Sequence, residues 1–134
     1  MLKLEIVTPE RRVLDTEVEA VTVPTASGEA GILTNHAPLV SELKPGVLTY
    51  TARGGAVDKL AIAGGFVEVS GNKVSVLTDL AETSGEVNLE AARAERDAAE
   101  RELAATASSD IDSNAALRER VEAANARLQL ASGR

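Results

Sequence analysis

The chain changes its alphabet at Glu86, and that change limits the fold more than any single motif. Residues 1–86 hold all four Pro, all four Lys, nine of the ten Gly and the only Tyr and Phe. Residues 87–134 are rich in Ala, Glu and Arg, with no Pro and one Gly, at position 133. Gly and Pro punctuate turns between short strands, whereas Ala, Glu and Arg are strong helix formers. The expected architecture is a β-sandwich (a flattened barrel) over 1–86, followed by an antiparallel two-helix hairpin over 87–134. A chain of 134 residues lies in the usual size range of one domain, and neither part alone is large enough for a generous core. With Tyr50 and Phe66 as the only aromatics, the core must be built from small aliphatic side chains.

The strands are legible from alternation. Leu2, Leu4 and Ile6 alternate with Lys3, Glu5 and Val7, a half-buried strand. From Val13 to Val23 the alternation slips at Ala20-Val21, which predicts a bulge or a change of facing sheet. Lys44-Pro45-Gly46 suits a type II turn. Gly54-Gly55 suits a two-residue hairpin that sets Ala52 opposite Val57 and Val47 opposite Ile62. Gly71-Asn72 predicts a second two-residue turn, pairing Val69 with Val74 and Val67 with Val76 on one face.

Beyond Leu89 the period becomes helical. Leu89, Ala92, Arg96, Ala99 and Leu103 fall on a 3-4 spacing, as do Leu117, Val121, Ala124, Leu128 and Ala131. The stretch Ala107-Ser108-Ser109-Asp110-Ile111-Asp112-Ser113 breaks the pattern and offers N-cap residues. The seam is thin: a fully buried Leu contributes about 1.5–3 kcal/mol, against a backbone ordering cost of about 1–2 kcal/mol per residue. The hypothesis that follows is a hairpin able to leave its docked position. Core-like amide protection through both helices would contradict it.

The stretch 28–39, Gly28-Glu29-Ala30-Gly31-Ile32-Leu33-Thr34-Asn35-His36-Ala37-Pro38-Leu39, is a stiff polar corner. Its two glycines allow positive φ or close backbone approach, and Pro38 restricts Ala37 to extended conformations. The single histidine, His36, has neither a second His nor a Cys with which to build a zinc site or a triad. It is left with two roles: satisfying the hydrogen bonds of its turn, or presenting a contact. Zero cysteines exclude a disulfide framework and a thiol nucleophile. The net charge of -7 arises from 12 acidic and 7 basic side chains in 1–86, hence -5, and 9 and 7 in 87–134, hence -2. No basic stripe with interleaved aromatics is present, so no nucleic-acid partner is expected. No apolar run near 18 residues is present, so no direct membrane insertion is expected. No P-loop or dinucleotide motif occurs. Glu17, Glu19, Asp58, Glu68, Asp79 and Glu82 alternate with strand apolars and read as a solvated face.

The run GxxGILxNHAPL, with Gly64-Gly65-Phe66-x-Glu68 and Asn72-x-Val74-x-Val76-Leu77-x-Asp79-x-Ala81-Glu82, resembles the epsilon subunit of bacterial F-type ATP synthases. Length and the Ala/Arg/Glu-rich tail are similar too, so the likeness covers essentially the whole chain. The resemblance implies a non-catalytic rotor subunit on the cytoplasmic face of the bacterial inner membrane. Its β-domain would couple the c-ring to the gamma shaft in proton-driven ATP synthesis. The hairpin would reach the alpha and beta subunits when extended, through Arg118, Arg120 and Arg127, and inhibit hydrolysis. By position Glu29 would face the ring and His36 the shaft, with Asn35 and Pro38 in the same contact corner.

Some members of that family bind ATP on the folded hairpin through [I/L]-D-x-x-R-A. The matching run here is Leu89-Glu90-Ala91-Ala92-Arg93-Ala94, with Arg96 beside Arg93 and Arg127 on the second helix positioned to converge on phosphates. It departs from the motif by Glu90 for Asp, and Glu100 and Ala123 fall where ATP-binding relatives carry arginine. No cofactor is required, and ATP is the candidate regulatory ligand. The bland reading of the same residues is solvated pairs such as Glu90 with Arg93 and Asp97 with Arg101. A free-standing ATP-sensing module and a structural adaptor are the alternative functions.

Overall fold

A computed structural model describes residues 1–132. Nine strands precede two helices: β1 (Leu2–Val7), β2 (Arg12–Thr25), β3 (Gly28–Leu33), β4 (Leu39–Leu43), β5 (Gly46–Ala52), β6 (Val57–Ile62), β7 (Gly65–Ser70), β8 (Lys73–Leu77), β9 (Ala81–Thr83), α1 (Leu89–Ala105) and α2 (Ile111–Ser132). The strands run in the order β1-β8-β7-β4-β2-β5-β6-β9, with β3 beside β2 and a further pairing of β1 with β2. The long β2 is the hinge of this β-sandwich. Its first half pairs with β1, and its second half pairs with β3 on one edge and β5 on the other.

The change of partner along β2 coincides with the slip in alternation. Register shifts between Val18 and Ala20, so Val18 opposes Ala52 while Ala20 opposes Thr51. The bulge lets Val18, Val21 and Val23 all reach the core despite their uneven spacing. Leu2, Leu4 and Ile6 are fully buried, as are Val67, Val69, Val74 and Val76, whose pairing follows the Gly71-Asn72 turn as expected. Gly71 and Asn72 have φ of 55° and 60°, the left-handed pair that a tight hairpin requires. The core is wholly aliphatic: Phe66 is 57% exposed and Tyr50 sits at its edge.

Two turn expectations are corrected. Ala52 N–H donates to Ala56 O at 2.7 Å, so the β5–β6 loop has three residues, Arg53-Gly54-Gly55. The register is therefore one residue off the sequence-based pairing: Thr51 opposes Val57, and Val47 opposes Ala61 instead of Ile62. Gly46 does not have positive φ, so no type II turn forms. Glycine there relieves a tight contact, since a Cβ would lie 3.0 Å from the Pro24 Cβ. Gly65 is the tightest position: at φ +103°, a Cβ would fall 1.8 Å from Leu77 O.

The register correction explains where the hairpin docks. In the β5-β6-β9 layer, Leu48, Leu60 and Ile62 point into the sandwich, while Val47, Ala61 and Glu82 form a row on the outer side. Ala61 is 1% exposed because Val87, Ala92, Ala126, Leu130 and Ala131 pack over it. Asn88 caps α1 by accepting from Ala91 N–H at 3.0 Å, and Asp110 caps α2 through Ser113 N–H at 3.3 Å. The helices pair along the expected faces at Ala92, Ala99, Leu117 and Ala124. The second helix also buries Ala126 and Leu130, which lie off the single expected stripe, because it touches the sheet as well as α1.

Candidate functional site

The polar corner joins β3 to β4. Thr34, Asn35, Ala37 and Pro38 are exposed, and Glu29 lies exposed on β3. His36 N–H donates to Leu33 O at 3.1 Å, and its ring Nδ1 lies 2.6 Å from Ala37 O. A carbonyl oxygen only accepts, so Nδ1 carries the proton there, and in a neutral ring Nε2 is left as an acceptor. His36 thus both satisfies its turn and keeps a polar edge available. Gly31, in the same stretch, has neither positive φ nor any atom within 4 Å of where a Cβ would sit. Nothing among the described residues accounts for glycine there.

Sequence reasoning missed an apolar surface on the outer side of the β1-β8-β7-β4 layer. The registers put Val7, Leu77 and Phe66 side by side across three strands, with Val40 exposed on β4. Val40 is 71% exposed, Leu77 58% and Phe66 57%. A cavity of about 480 Å³ opens here, lined by Val7, Thr8, Pro9, Phe66, Leu77 and Asp79 among others. The available signal was phase. Phe66 and Leu77 sit out of step with the buried valines of their own strands, so one face or the other had to carry exposed bulk. Large apolar groups gathered on one face mark a contact surface far more than scattered ones do.

The hairpin residues are arranged differently from the ATP-site expectation. Glu90, Arg93 and Ala94 are exposed and Leu89 is half-buried against the docking cluster. Arg96 pairs with Asp97 at 3.2 Å. Arg127 turns to the sheet, where its Nε donates to Glu82 Oε1 at 2.6 Å. Of the acidic residues read as a solvated face, Glu82 is therefore the exception. The alternative solvated pairs, Glu90 with Arg93 and Asp97 with Arg101, are not among the ion pairs of the described residues. Arg120 instead bridges the two helices, to Glu95 at 2.8 Å and Glu102 at 3.0 Å.

Among the described residues, no group of three or more His, Cys, Asp or Glu could hold a metal ion, and no helix is long and apolar enough to cross a membrane. What the surface presents is shape: a corner, an apolar sheet face and a docked hairpin.

Comparison with known proteins identifies that shape. Residues 1–84 match the family model for the ATP synthase Delta/Epsilon chain, beta-sandwich domain. The ATP synthase epsilon chain of Desulfitobacterium hafniense (strain Y51) is 50% identical over 100 residues, 75% of either chain. That of Anaeromyxobacter dehalogenans (strain 2CP-1) is 42% identical over 130 residues, 97% of either chain, and so extends through the hairpin. A chain of the Euglena gracilis mitochondrial ATP synthase, solved as OSCP/F1/c-ring, superposes with a TM-score of 0.79 at 27% identity, covering 98% of this chain and 81% of that one. A chain of the Tetrahymena thermophila mitochondrial central stalk/c-ring shares the fold, with a TM-score of 0.61 at 14% identity over 98% and 94%. Sandwich, hairpin and motifs agree, and the chain belongs to the epsilon chain family of ATP synthase.

Proposed function

We propose that this chain is the non-catalytic rotor subunit that couples the membrane c-ring to the gamma shaft, acting peripherally on the cytoplasmic face of the bacterial inner membrane. The observation that carries the reading is the apolar sheet face of Val40, Phe66 and Leu77, exposed on a sandwich that also presents a polar β3–β4 corner. Apolar area of this kind is stabilised by a protein partner, and the polar corner supplies orientation. Gamma is the partner for the face and for His36, Asn35 and Pro38, and Glu29 is directed to the ring. Residues 1–86 act as the rotor-binding domain and residues 87–134 as a regulatory hairpin, docked in this conformation.

The test is assembly with purified gamma. The parent should form a stoichiometric complex, and Phe66→Ser with Leu77→Ser should weaken it by about tenfold or more, as loss of central apolar contacts does. A parent that forms no complex with gamma would sink the rotor reading.

The hairpin reading includes hindrance of ATP hydrolysis through alpha and beta contacts of the extended form, with ATP as the ligand that favours docking. Arg93 is exposed and open to a triphosphate, while Arg127 stays paired with Glu82 and keeps the hairpin on the sheet. Calorimetric titration with ATP decides this. Binding abolished by Arg93→Ala supports the site, and absence of heat up to millimolar ATP removes it.

A further inference from the structure

Asn35 and Asn72 are the only non-glycine residues with positive φ among the described residues, at 67° and 60°. The left-handed conformation is unfavourable for an L-residue, and asparagine is among the few that tolerate it. The two lie 37 residues apart and are bonded to each other. Asn35 N–H donates to Asn72 Oδ1 at 2.6 Å, and Asn72 Nδ2 donates to Asn35 Oδ1 at 3.3 Å. The β7–β8 turn needs only positive φ at position 72, which glycine supplies without strain. The turn accounts for a residue that tolerates positive φ, and the amide of Asn72 has its hydrogen-bond partners in the corner and not in its own turn.

The clasp also has an anchor. Asn72 O accepts from Lys3 N–H at 2.9 Å, which ties the turn to β1. Among the described residues, the hydrogen bonds of residues 34–38 otherwise stay within the corner and its flanking Leu33. The reciprocal amide pair thus ties the tip of the corner to the β7–β8 turn, beyond the β4–β7 ladder that begins at Leu39.

We propose that Asn72 is a positioning residue: through Asn35 it holds the corner, and with it His36, in its binding geometry before any partner arrives. This rests on the reading of the corner as a gamma contact. Preorganisation of this kind raises affinity by removing the ordering cost from the binding step. It needs no contact between Asn72 and the partner.

The experiment uses the full chain with three substitutions, amide exchange, and affinity for purified gamma. Asn72→Gly keeps the left-handed turn and deletes the clasp. Asn72→Asp keeps an acceptor for Asn35 N–H. His36→Ala tests the contact itself. In Asn72→Gly the Asn35 amide should exchange about tenfold faster, with Val69 and Val74 unchanged, and gamma affinity should fall about tenfold, the scale of one or two lost hydrogen bonds. Asn72→Asp should return both to within about twofold of the parent, which a merely destabilised turn would not show. If Asn72→Gly binds like the parent while His36→Ala is weakened, the positioning role is wrong and the contact reading stands. If neither substitution weakens binding, the corner is not the contact, and the proposal falls with that reading.

Discussion

Breaking the Arg127 and Glu82 pair should release the hairpin from the sandwich. The two charges are 2.6 Å apart, and their side chains are only 18% and 16% exposed. Exposed ion pairs contribute about 0.2–1 kcal/mol, while removing one partner of a fully buried pair costs about 3–5 kcal/mol. This site lies between those limits, and a charge-assisted hydrogen bond contributes about 1.5–3 kcal/mol. A loss near 2 kcal/mol is expected, about a 30-fold shift in the docked-to-released ratio. The remaining docking contacts include few large side chains, chiefly Leu130, Leu128 and Leu89, so that shift is a substantial part of the total.

Arg127→Met is the cleaner substitution, because it keeps an apolar stem over the sheet. Tyr50 is the only tyrosine and no tryptophan competes with it. It lines a cavity of about 450 Å³ together with Gln129 and Leu130 of α2, so its fluorescence reports docking. Amide exchange along α2 reports it independently. Arg127→Met, Glu82→Gln and the double variant close a cycle whose coupling should be about 1.5 kcal/mol or more. Coupling below about 0.5 kcal/mol, with α2 protection unchanged, would mean that the apolar seam alone holds the hairpin.

Three further outcomes are expected. Gly65→Ala should cost about 4 kcal/mol or more in denaturant unfolding, since the new Cβ meets the Leu77 carbonyl in a left-handed backbone; a loss under 1 kcal/mol would show that β7 and β8 separate easily. The Glu86 carboxyl is held below the usual glutamate range, first by the Thr83 backbone N–H, then by the Thr83 hydroxyl and Arg11. Its folded value is depressed, so its stabilisation is complete above the ordinary glutamate range and is lost as pH falls through the folded value; thermal unfolding of Glu86→Gln should converge on the parent at acid pH and fall below it at neutral pH. Burial and, secondarily, Asp58 raise the Tyr50 phenol, so phenolate absorbance should appear above the usual tyrosine range. Asp58→Asn should bring it only part of the way back, and a full return would assign the shift to charge instead of burial.

Much of this architecture is local and was readable from the chain. Leu2, Leu4 and Ile6 alternate because a strand alternates, and the slip at Ala20-Val21 marked a real bulge. The Gly71-Asn72 register followed from two residues able to take positive φ. The β5–β6 loop was misread because glycines at 54 and 55 accommodate either a two- or a three-residue turn, and only the ladder chooses. A better reading of Leu60-Ala61-Ile62 would have found the docking row, since an unbroken apolar run signals a strand covered on both faces.

The corner shows where local signals stop. Ala37-Pro38 restricts its backbone by sequence alone, and the family motif nominates His36 and Glu29 as contacts. Its clasp to Asn72 depends on β3, β4, β7 and β8 arriving at one end of the sandwich, a meeting of segments 37 residues apart. The apolar face of Val7, Leu77 and Phe66 likewise exists only once three strands stand in register. Arg127 found Glu82 across 45 residues because α2 lies on the β5-β6-β9 layer. Periodicity, turn chemistry and capping act over a few residues and are written in the order of the chain. Which faces meet, which charges pair and which apolar side chains stay outside are set by long-range strand pairing and by the docking of one layer on another.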